Sequence, residues 1–399
     1  MVKIDPYKHE ERWNRWKERT ADGIPNISKK NSEIIKQYLH DMEHGINVSA
    51  KSVKGGRSYI RLNSLTEKMV YYAKKFDEVY GLNNITEISE EQVMLFFSRM
   101  RKGDICRQDG KPYLSMPTFV KTFKAFWHWY QNVNRKKGID IPDLTIDLDS
   151  RGIKPKWVYL TEEQVKKLCN NAKWRYKVMI MFLFDTGIRS PGELMNIKVS
   201  DFYNDFKEVN IREEISKTFG RRIKLMLSSE LVANYVKDEK LQPEDYIFPL
   251  QPFSVNKYLK RLASRIFGDA MSEAGKPYKN LTMYDFRHCS CCYWLPRYKS
   301  ESALKYRFGW KKSDKIHYYS GMLGMKDTIN EDDMLVDLTK TEIEKKLVKS
   351  ENEKDILQDR VEMLEKQMSV IMPEVDEMRT AFKELGLLKI PTDKISIVV

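Results

Sequence analysis

Hydrophobic residues recur at helical spacing through much of the first third of the chain. One apolar stripe consists of Leu65, Met69, Tyr72, Phe76 and Val79. Ser64 and Glu67 have the form of a capping box, which opens a helix by satisfying free backbone N–H groups. These patterns predict a small all-helical domain over residues 27–136. Residues 1–26 are rich in Trp, Lys and Arg without a clear period, and they predict an N-terminal arm.

A change of pattern separates this region from the rest of the chain. Residues 137–158 contain two Pro and two Gly without a sustained period, which predicts a linker. Thr161 and Gln164 then predict a helix start, and an apolar helix is expected to end at Gly187. Alternating hydrophobic positions between 206 and 227 predict a small antiparallel sheet, with Lys217 beside its turn. The predicted fold class is therefore mainly α with a small antiparallel β-sheet.

The residues after Gly187 predict another helix. Ser190 can cap it, Pro191 suits its first position and Glu193 can reach back to the cap. Arg189 is then expected at a helix N-terminus, where backbone N–H groups and the helix dipole favour an anion.

The stretch LTMYDFRHCSCCYWL, which begins at residue 281, carries candidate chemistry. Thr282 and Asp285 predict a helix start. Tyr284, Arg287 and His288 then fall on one helical face, because their spacing is i, i+3 and i+4. We expect that face to present a phenol, a guanidinium and an imidazole to one point.

Two short helices should follow. Gly309 is expected to end the first, and Ser313 begins a second that carries Tyr318 and Tyr319. An arginine that forks onto phosphate oxygens and a nucleophilic tyrosine are the parts of a metal-free phosphoryl-transfer site, and Arg287 supplies the arginine.

Charge adds a partner class to this picture. The formal net charge is +13 despite 57 acidic residues, and the pI is about 9.2. Such a basic excess indicates a polyanionic partner, without distinguishing DNA from RNA or a membrane surface. The N-terminal sequence is too charged for a secretory signal, and the longest apolar run, residues 178–184, is too short to span a bilayer. We therefore expect a soluble, cytoplasmic protein.

No metal or cofactor is predicted. Cys289, Cys291 and Cys292 lie on one helix with thiols that point in different directions, and no second ligand pair accompanies them. The acidic run at 331–333 lacks the spaced carboxylates of a two-metal nuclease and is interpreted as a solvated linker.

A glycine-containing basic loop precedes the first strong helical stripe. Its cations are Lys51, Lys54, Arg57 and Arg61. They are candidates for contacts to DNA phosphates, and a solvated loop is an equally good interpretation.

Five motifs, in order, resemble the catalytic domain of the tyrosine recombinase (phage integrase) family. They are an arginine in TGIRSPGEL, a lysine at a hairpin turn, the helix YDFRH, the joint FGW and a tyrosine nine residues after its tryptophan. The resemblance covers residues 160–320, and the helical region before it is similar to that family's core-binding domain. Arg189 matches the first arginine, Lys217 the hairpin lysine, Arg287 the second arginine, Trp310 the His/Trp position and Tyr319 the nucleophile.

The resemblance implies transesterification of DNA without metal or ATP. Tyr319 would attack the scissile phosphate, form a 3′-phosphotyrosyl intermediate and release a 5′-hydroxyl. Arg189 and Arg287 would stabilise the charge of the transition state, and Lys217 would protonate the departing oxygen. Trp310 and Tyr284 are expected to hold the phosphate through an indole N–H and a phenol O–H.

Several assignments stay open. A tyrosine, Tyr284, replaces the histidine of the family's H-x-x-R motif, so the acceptor of the nucleophile's proton is undefined. His288 is interpreted as structural. His317 is interpreted as a solvated helix residue, with the role of proton acceptor as its alternative. Tyr318 competes with Tyr319 for the nucleophile position. Arg221, Arg222 and Lys224 compete with Lys217.

A seam with 3-4 spacing occupies the C-terminal region, 338–388. Its members are Leu357, Val361, Leu364, Met368, Ile371, Val375, Met378, Phe382 and Leu385. It predicts a coiled coil that helps assemble the homotetramer on two DNA sites implied by the resemblance, with Pro373 off the seam and able to kink the helix. A helix that packs on its own catalytic domain is the alternative.

Two rival functions remain. One is a type IB topoisomerase-like or DNA-resolving enzyme, which uses the same five-part site. The other is a non-catalytic DNA-binding protein, which Tyr284 makes plausible.

Overall fold

The computed structural model of the protein describes residues 3–48, 53–152, 156–298 and 300–323, and a subset of those between 358 and 385. The chain divides into two compact units, 1–324 and 325–399. Within the first unit, two hydrophobic cores define a helical domain and a mixed domain. No helix of the described residues is long and apolar enough to cross a membrane.

Five α-helices build the helical domain where the structure describes it. They are α1 (His9–Arg19), α2 (Lys29–His44), α3 (Tyr59–Tyr80), α4 (Glu90–Lys102) and α5 (Met116–Arg135). Their core is rich in aromatic side chains, with Phe123, Phe126 and Trp127 of α5 buried. The core also extends beyond the predicted limits of 27–136, because Trp13 of α1 is buried in it and donates a hydrogen bond to Glu43 at 2.7 Å.

The predicted start of α3 is wrong by six residues. The helix begins at Tyr59, with Ser58 as its N-cap, and Ser64 lies inside it. The apolar face already includes Leu62, which is fully buried, so packing favours an earlier start than the local capping pattern. Ser64 accepts a hydrogen bond from Lys68 within the helix, at 2.8 Å.

The mixed domain contains seven helices and one sheet among its described residues. The helices are α6 (Glu162–Asn170), α7 (Trp174–Thr186), α8 (Ser229–Asp238), α9 (Pro252–Phe267), α10 (Met283–Trp294), α11 (Glu301–Phe308) and α12 (Asp314–Met322). The capping box of Thr161 and Gln164 opens α6, and Gly187 ends α7 with φ 59°, as predicted. Helices α7 and α10 pack together, which brings the residues that follow α7 close to Arg287 of α10.

The small antiparallel sheet is confirmed. Its strands are β1 (Phe202–Tyr203), β2 (Glu208–Ile211) and β3 (Arg221–Lys224), in the order β1-β2-β3. Val209 pairs with Ile223, and both side chains are buried against the domain core. The long connection between β2 and β3 contains Lys217, so the hairpin presents this lysine at its turn.

The residues ahead of α1 contact the mixed domain. The backbone N–H of Ile4 donates to Asn196 Oδ1 at 2.7 Å, and Asn196 Nδ2 donates to the carbonyl of Ile4 at 3.1 Å. The segment predicted as an arm therefore joins both domains of the first unit.

The described part of the second unit is helical. Residues 371–373 and 375–382 are helical, and Pro373 belongs to the first of these ranges. The described seam residues are exposed by 41% to 69%, including Val361, Met368, Met378, Phe382 and Leu385. Leu357 and Leu364 lie outside the described residues, and the coiled coil stays a prediction.

Candidate active site

Arg189 lies in a turn after α7 and not at a helix N-terminus. The helix predicted to start at Ser190 is wrong, because residues 190–193 form a turn that leads into a single 3-10 turn, Leu194–Asn196. Ser190 Oγ is buried without a hydrogen-bond partner, so it caps nothing. Glu193 reaches back as expected, but it accepts from the N–H of Arg189, at 2.8 Å. Side-chain contacts, and not a helix dipole, therefore hold Arg189 in position.

Glu193 joins two arginines in the interior. Its carboxylate accepts from Arg189 Nη1 at 2.7 Å and from Arg221 Nη2 at 2.7 Å, and Arg221 has no exposed side-chain surface. Burial raises the pKa of this carboxyl, but hydrogen bonds and charge from Arg221 and Arg189 outweigh burial and lower the pKa to about 2. Glu193 is therefore an anion that fixes the orientation of Arg189.

The other end of the Arg189 guanidinium contacts the FGW joint. Nη2 donates to the carbonyl of Gly309 at 2.8 Å and lies 3.4 Å from Thr218 Oγ1. Thr218 also donates to the Gly309 carbonyl, at 2.9 Å. The turn that carries Lys217 is thereby tied to the same carbonyl as Arg189.

Arg287 contacts the neighbouring carbonyl. It donates to the carbonyl of Phe308 at 2.6 Å and to that of Gly187, and it is only 4% exposed. Burial lowers the pKa of Arg287, and the charge of Arg189 lowers it further. Two arginines 98 positions apart in the sequence thus hold the consecutive carbonyls of Phe308 and Gly309.

Gly187 lies where only glycine fits. Its φ of +59° is in the left-handed region, and a Cβ there would lie 2.2 Å from Phe308 Cε1. The absence of a side chain lets the Gly187 carbonyl reach Arg287.

Lys217 is exposed and lines a cleft of about 550 Å³ beside Arg189 and Glu193. Arg61 of α3 also lines this cleft, as does Lys3, which donates to the carbonyl of Ile215 at 3.3 Å. The other hairpin cations are placed differently. Arg221 is buried on Glu193, Arg222 pairs with Glu208 at 3.1 Å, and neither they nor Lys224 line the cleft. Of the four hairpin cations weighed from the sequence, Lys217 is the one that lines the cleft beside Arg189.

Tyr319 of α12 is 4% exposed and is held by aromatic rings. Its ring stacks on Trp310, with centroids 5.9 Å apart and an interplanar angle of 11°, and Trp310 stacks on Phe308 at 4.9 Å. The phenol oxygen is 2.5 Å from His288 Nδ1. Burial raises the pKa of Tyr319 strongly. The candidate nucleophile is therefore docked on its own domain as a neutral phenol.

Tyr318 has a different environment. Its hydroxyl accepts a hydrogen bond from Trp157 Nε1 at 3.0 Å, and its ring packs against that of Tyr319. Trp157 itself stacks on His288, with ring centroids 4.7 Å apart. Tyr318 thus packs against a residue from the predicted linker.

The three residues expected on one face of α10 have different contacts. Arg287 reaches the carbonyls, His288 reaches Tyr319, and Tyr284 is 48% exposed. The ring of Tyr284 lies edge-on to His288 at 5.2 Å. The charges of Arg287 and Tyr284 both affect the pKa of Tyr319, so the three groups share one neighbourhood, and their convergence on one point stays a prediction.

Sequence reasoning missed Glu193 as a clamp and Trp157 and Thr218 as site residues. Glu193 had a detectable signal, since a carboxylate shortly after Arg189 can pair with it. Trp157 and Thr218 had none, because their partners lie 161 and 91 positions away.

A second basic cleft of about 590 Å³ lies in the helical domain. Its cations are Arg57, Arg61, Lys121, Lys124 and Arg135. Two of the four cations proposed from the sequence line it. Lys54 does not, and Lys51 lies outside the described residues. Arg57 also donates to the carbonyl of Val53 at 2.8 Å.

The model of the phage integrase family matches residues 158–322, the range that contains this site. Residues 158–322 are therefore a phage integrase domain of the tyrosine recombinase family. Site-specific recombination of DNA is the reaction class of such a domain, and the five motifs in the sequence lie within the matched range. No curated protein sequence matches this chain.

Solved structures share the fold of this chain. The Tn1549 transposon integrase (residues 82–397), in complex with circular intermediate DNA, is 14% identical with a TM-score of 0.52, over 72% of this chain and 94% of that one. A lambda integrase dimer bound to a COC′ core site is also 14% identical with a TM-score of 0.52, over 81% and 85% of the two chains. At this identity the likeness concerns the fold.

Proposed function

We propose that this tyrosine recombinase cleaves and rejoins double-stranded DNA through a covalent bond between Tyr319 and a 3′-phosphate. The observation that carries the proposal is the joint at residues 308–310. Arg287 and Arg189 hold its first two carbonyls, and Trp310 stacks on Tyr319. Two cations and a phenol from distant parts of the chain are thereby brought to one short segment.

Both guanidiniums retain N–H donors for hydrogen bonds to a phosphate. A guanidinium has five N–H donors, and the contacts above engage at most three in Arg189 and two in Arg287. The remaining donors would bind the non-bridging oxygens, where negative charge grows in the transition state. Removal of one such donor typically slows an enzyme by about 10²–10³-fold. Lys217 would give a proton to the departing 5′-oxygen.

The basic cleft of the helical domain supports a DNA contact at some distance from the chemistry. Arg61 lines both this cleft and the one next to Arg189, and we take the linings of the two clefts together as one basic surface. The Tn1549 integrase and lambda integrase structures of similar fold contain DNA. We propose double-stranded DNA as the ligand of this surface, and we expect the protein to be found with the nucleoid.

Neutralising this surface should weaken DNA binding in a salt-dependent way. The slope of log K against log salt is negative, and each lost phosphate contact reduces its magnitude by about 0.9, so Arg61→Ala with Lys121→Ala should make it less steep by about 1.8. The measurement is a DNA titration at several salt concentrations. Lys237→Ala with Lys240→Ala removes the same charge from exposed positions outside both clefts and should leave the slope unchanged. Equal slopes for the two double variants would argue against the assigned surface.

The oligomeric state is proposed from the requirements of the reaction. Recombination joins two DNA sites, so several protomers must meet, and we propose a homotetramer. The exposed apolar seam at 361–385 supports the tail as an aid to assembly. Light scattering of the DNA complex with and without residues 338–399 gives the number of protomers in each. The same number of protomers in both complexes would show that the tail does not aid assembly.

Strand transfer between two DNA molecules distinguishes recombination from relaxation. Incubation of the protein with two labelled duplexes that carry the target site should give recombinant products, and sequencing of the protein-attached junctions would locate the cleavage. Relaxation of a supercoiled plasmid without recombinant products would favour the topoisomerase-like alternative. No covalent complex with any duplex would favour a binding protein.

A further inference from the structure

The hydroxyl of Tyr319 has a partner of defined chemistry in the docked state. It lies 2.5 Å from His288 Nδ1, a short hydrogen bond. The thiol of Cys291 also interacts with Tyr319 as a side-chain hydrogen-bond partner. Because the phenol has a single proton to donate, and an imidazole nitrogen is a far better acceptor than a thiol, Nδ1 accepts and the ring proton of His288 lies on Nε2.

The surroundings hold the imidazole in place. Trp157 stacks on one face of the His288 ring at 4.7 Å, and Tyr284 approaches it edge-on at 5.2 Å. Trp157 also donates to Tyr318, the residue that precedes the nucleophile. The ring of His288 and helix α12 are thus fixed by the same tryptophan.

Other candidate acceptors are poorly suited. Burial raises the pKa of the Cys291 thiol, so it is a neutral S–H group. Tyr284 is a half-exposed phenol and His317 is exposed on α12. His288 remains, and it contacts the reacting oxygen directly.

We infer that His288 receives the proton of Tyr319 during DNA cleavage. His288 thereby takes the place of the histidine of the family's H-x-x-R motif, where this chain has Tyr284. This assignment rests on the proposed function. As the Tyr319 oxygen bonds to phosphorus, its proton passes to His288 Nδ1, the bond between phosphorus and the 5′-oxygen breaks, and a proton from Lys217 passes to that oxygen. In rejoining, a 5′-hydroxyl returns its proton to Lys217, and His288 returns its proton to Tyr319.

The charge state of His288 is suited to this role. Burial lowers its pKa to about 4, Asp285 opposes this, and the charges of Arg287, Lys315 and Lys276 lower it further. The imidazole is therefore neutral at neutral pH, with its acceptor nitrogen free of a proton. A phosphate anion bound next to it would raise its pKa and favour transfer.

The test measures covalent adduct formation on a nicked duplex in which the cleaved strand cannot rejoin. His288→Ala and His288→Asn should each slow the adduct by about 10²–10⁴-fold, while DNA affinity stays unchanged. Asn keeps an acceptor but cannot take a proton, so its failure to restore the rate distinguishes proton transfer from positioning. If His288→Ala does not fold, the conclusion rests on His288→Asn.

A second substrate separates the two proton transfers. A 5′-bridging sulfur at the scissile phosphate gives a thiolate leaving group, which needs no general acid. Lys217→Ala should then recover its rate and the His288 variants should not. Three results would overturn the assignment of His288 and leave the proposed function intact. They are recovery of the rate of the His288 variants on this substrate, a wild-type rate in His288→Asn, and faster adduct formation in His288→Ala. Absence of an adduct with the wild-type protein would overturn the proposed function and the assignment together.

Discussion

Tyr319→Phe should abolish the covalent DNA adduct and leave DNA binding intact. The change removes only the hydroxyl, so the ring keeps its stack on Trp310 and its buried position. A nucleophile has no substitute in this mechanism, so we expect adduct formation to fall below detection rather than by a graded factor. Gel analysis under denaturing conditions measures the adduct, and a mobility shift on the same duplex measures binding.

The adjacent tyrosine is a matched control. Tyr318→Phe also removes one hydroxyl from α12, and it loses the hydrogen bond from Trp157 Nε1. We expect it to lower stability by about 1 kcal/mol and to retain the adduct. An adduct that persists in Tyr319→Phe and disappears in Tyr318→Phe would move the nucleophile by one position.

Glu193→Gln should be the most destabilising single change at the site. It leaves the guanidinium of Arg221, which has no exposed side-chain surface, without its counter-charge, and it loosens Arg189. Removal of one partner from a buried ion pair typically costs about 3–5 kcal/mol. Urea unfolding at neutral pH measures the change. Glu214→Gln, at an exposed carboxylate 3.3 Å from Arg212, should cost less than about 1 kcal/mol.

The effect of Glu193→Gln should depend on pH with a defined sign. The pKa of Glu193 is about 2 in the folded protein, below its ordinary value of 4.5. The stability gained from ionisation, about 3 kcal/mol, is fully present above pH 4.5 and is lost as the pH falls toward 2. The gap in unfolding free energy between wild type and Glu193→Gln should therefore narrow between pH 6 and pH 3. A gap that stays constant would show that packing, not charge, causes the effect.

Local patterns predicted the features that depend on a few neighbouring residues. The helix start at Thr161, the helix end at Gly187 and the pairing of β2 with β3 all follow from short-range capping, φ preference and alternation. The ordered motifs also led to the five candidate site residues. Capping logic failed at Ser64 and at Ser190, where tertiary contacts outweighed a weak local preference.

The environment of each site residue could not be predicted. Glu193 joins Arg189 to Arg221, 28 positions away, and His288 meets Tyr319 over 31 positions. Trp157 lies in the segment predicted as a linker. It is nevertheless only 4% exposed, and it packs against both His288 and Tyr318. Such contacts depend on how α7, α10 and α12 pack, and no periodicity in the sequence encodes that arrangement.

The carbonyls of Phe308 and Gly309 give the two arginines fixed partners that belong to the protein itself. The positive half of the reaction centre is consequently preorganised before any substrate arrives, and DNA need not spend binding energy to assemble it. The phenol is different, since it begins buried at 4% exposure. A phosphate must therefore reach a hydroxyl that stays against His288. A hydroxyl covered in this way is shielded from any phosphate that the two arginines do not hold beside it.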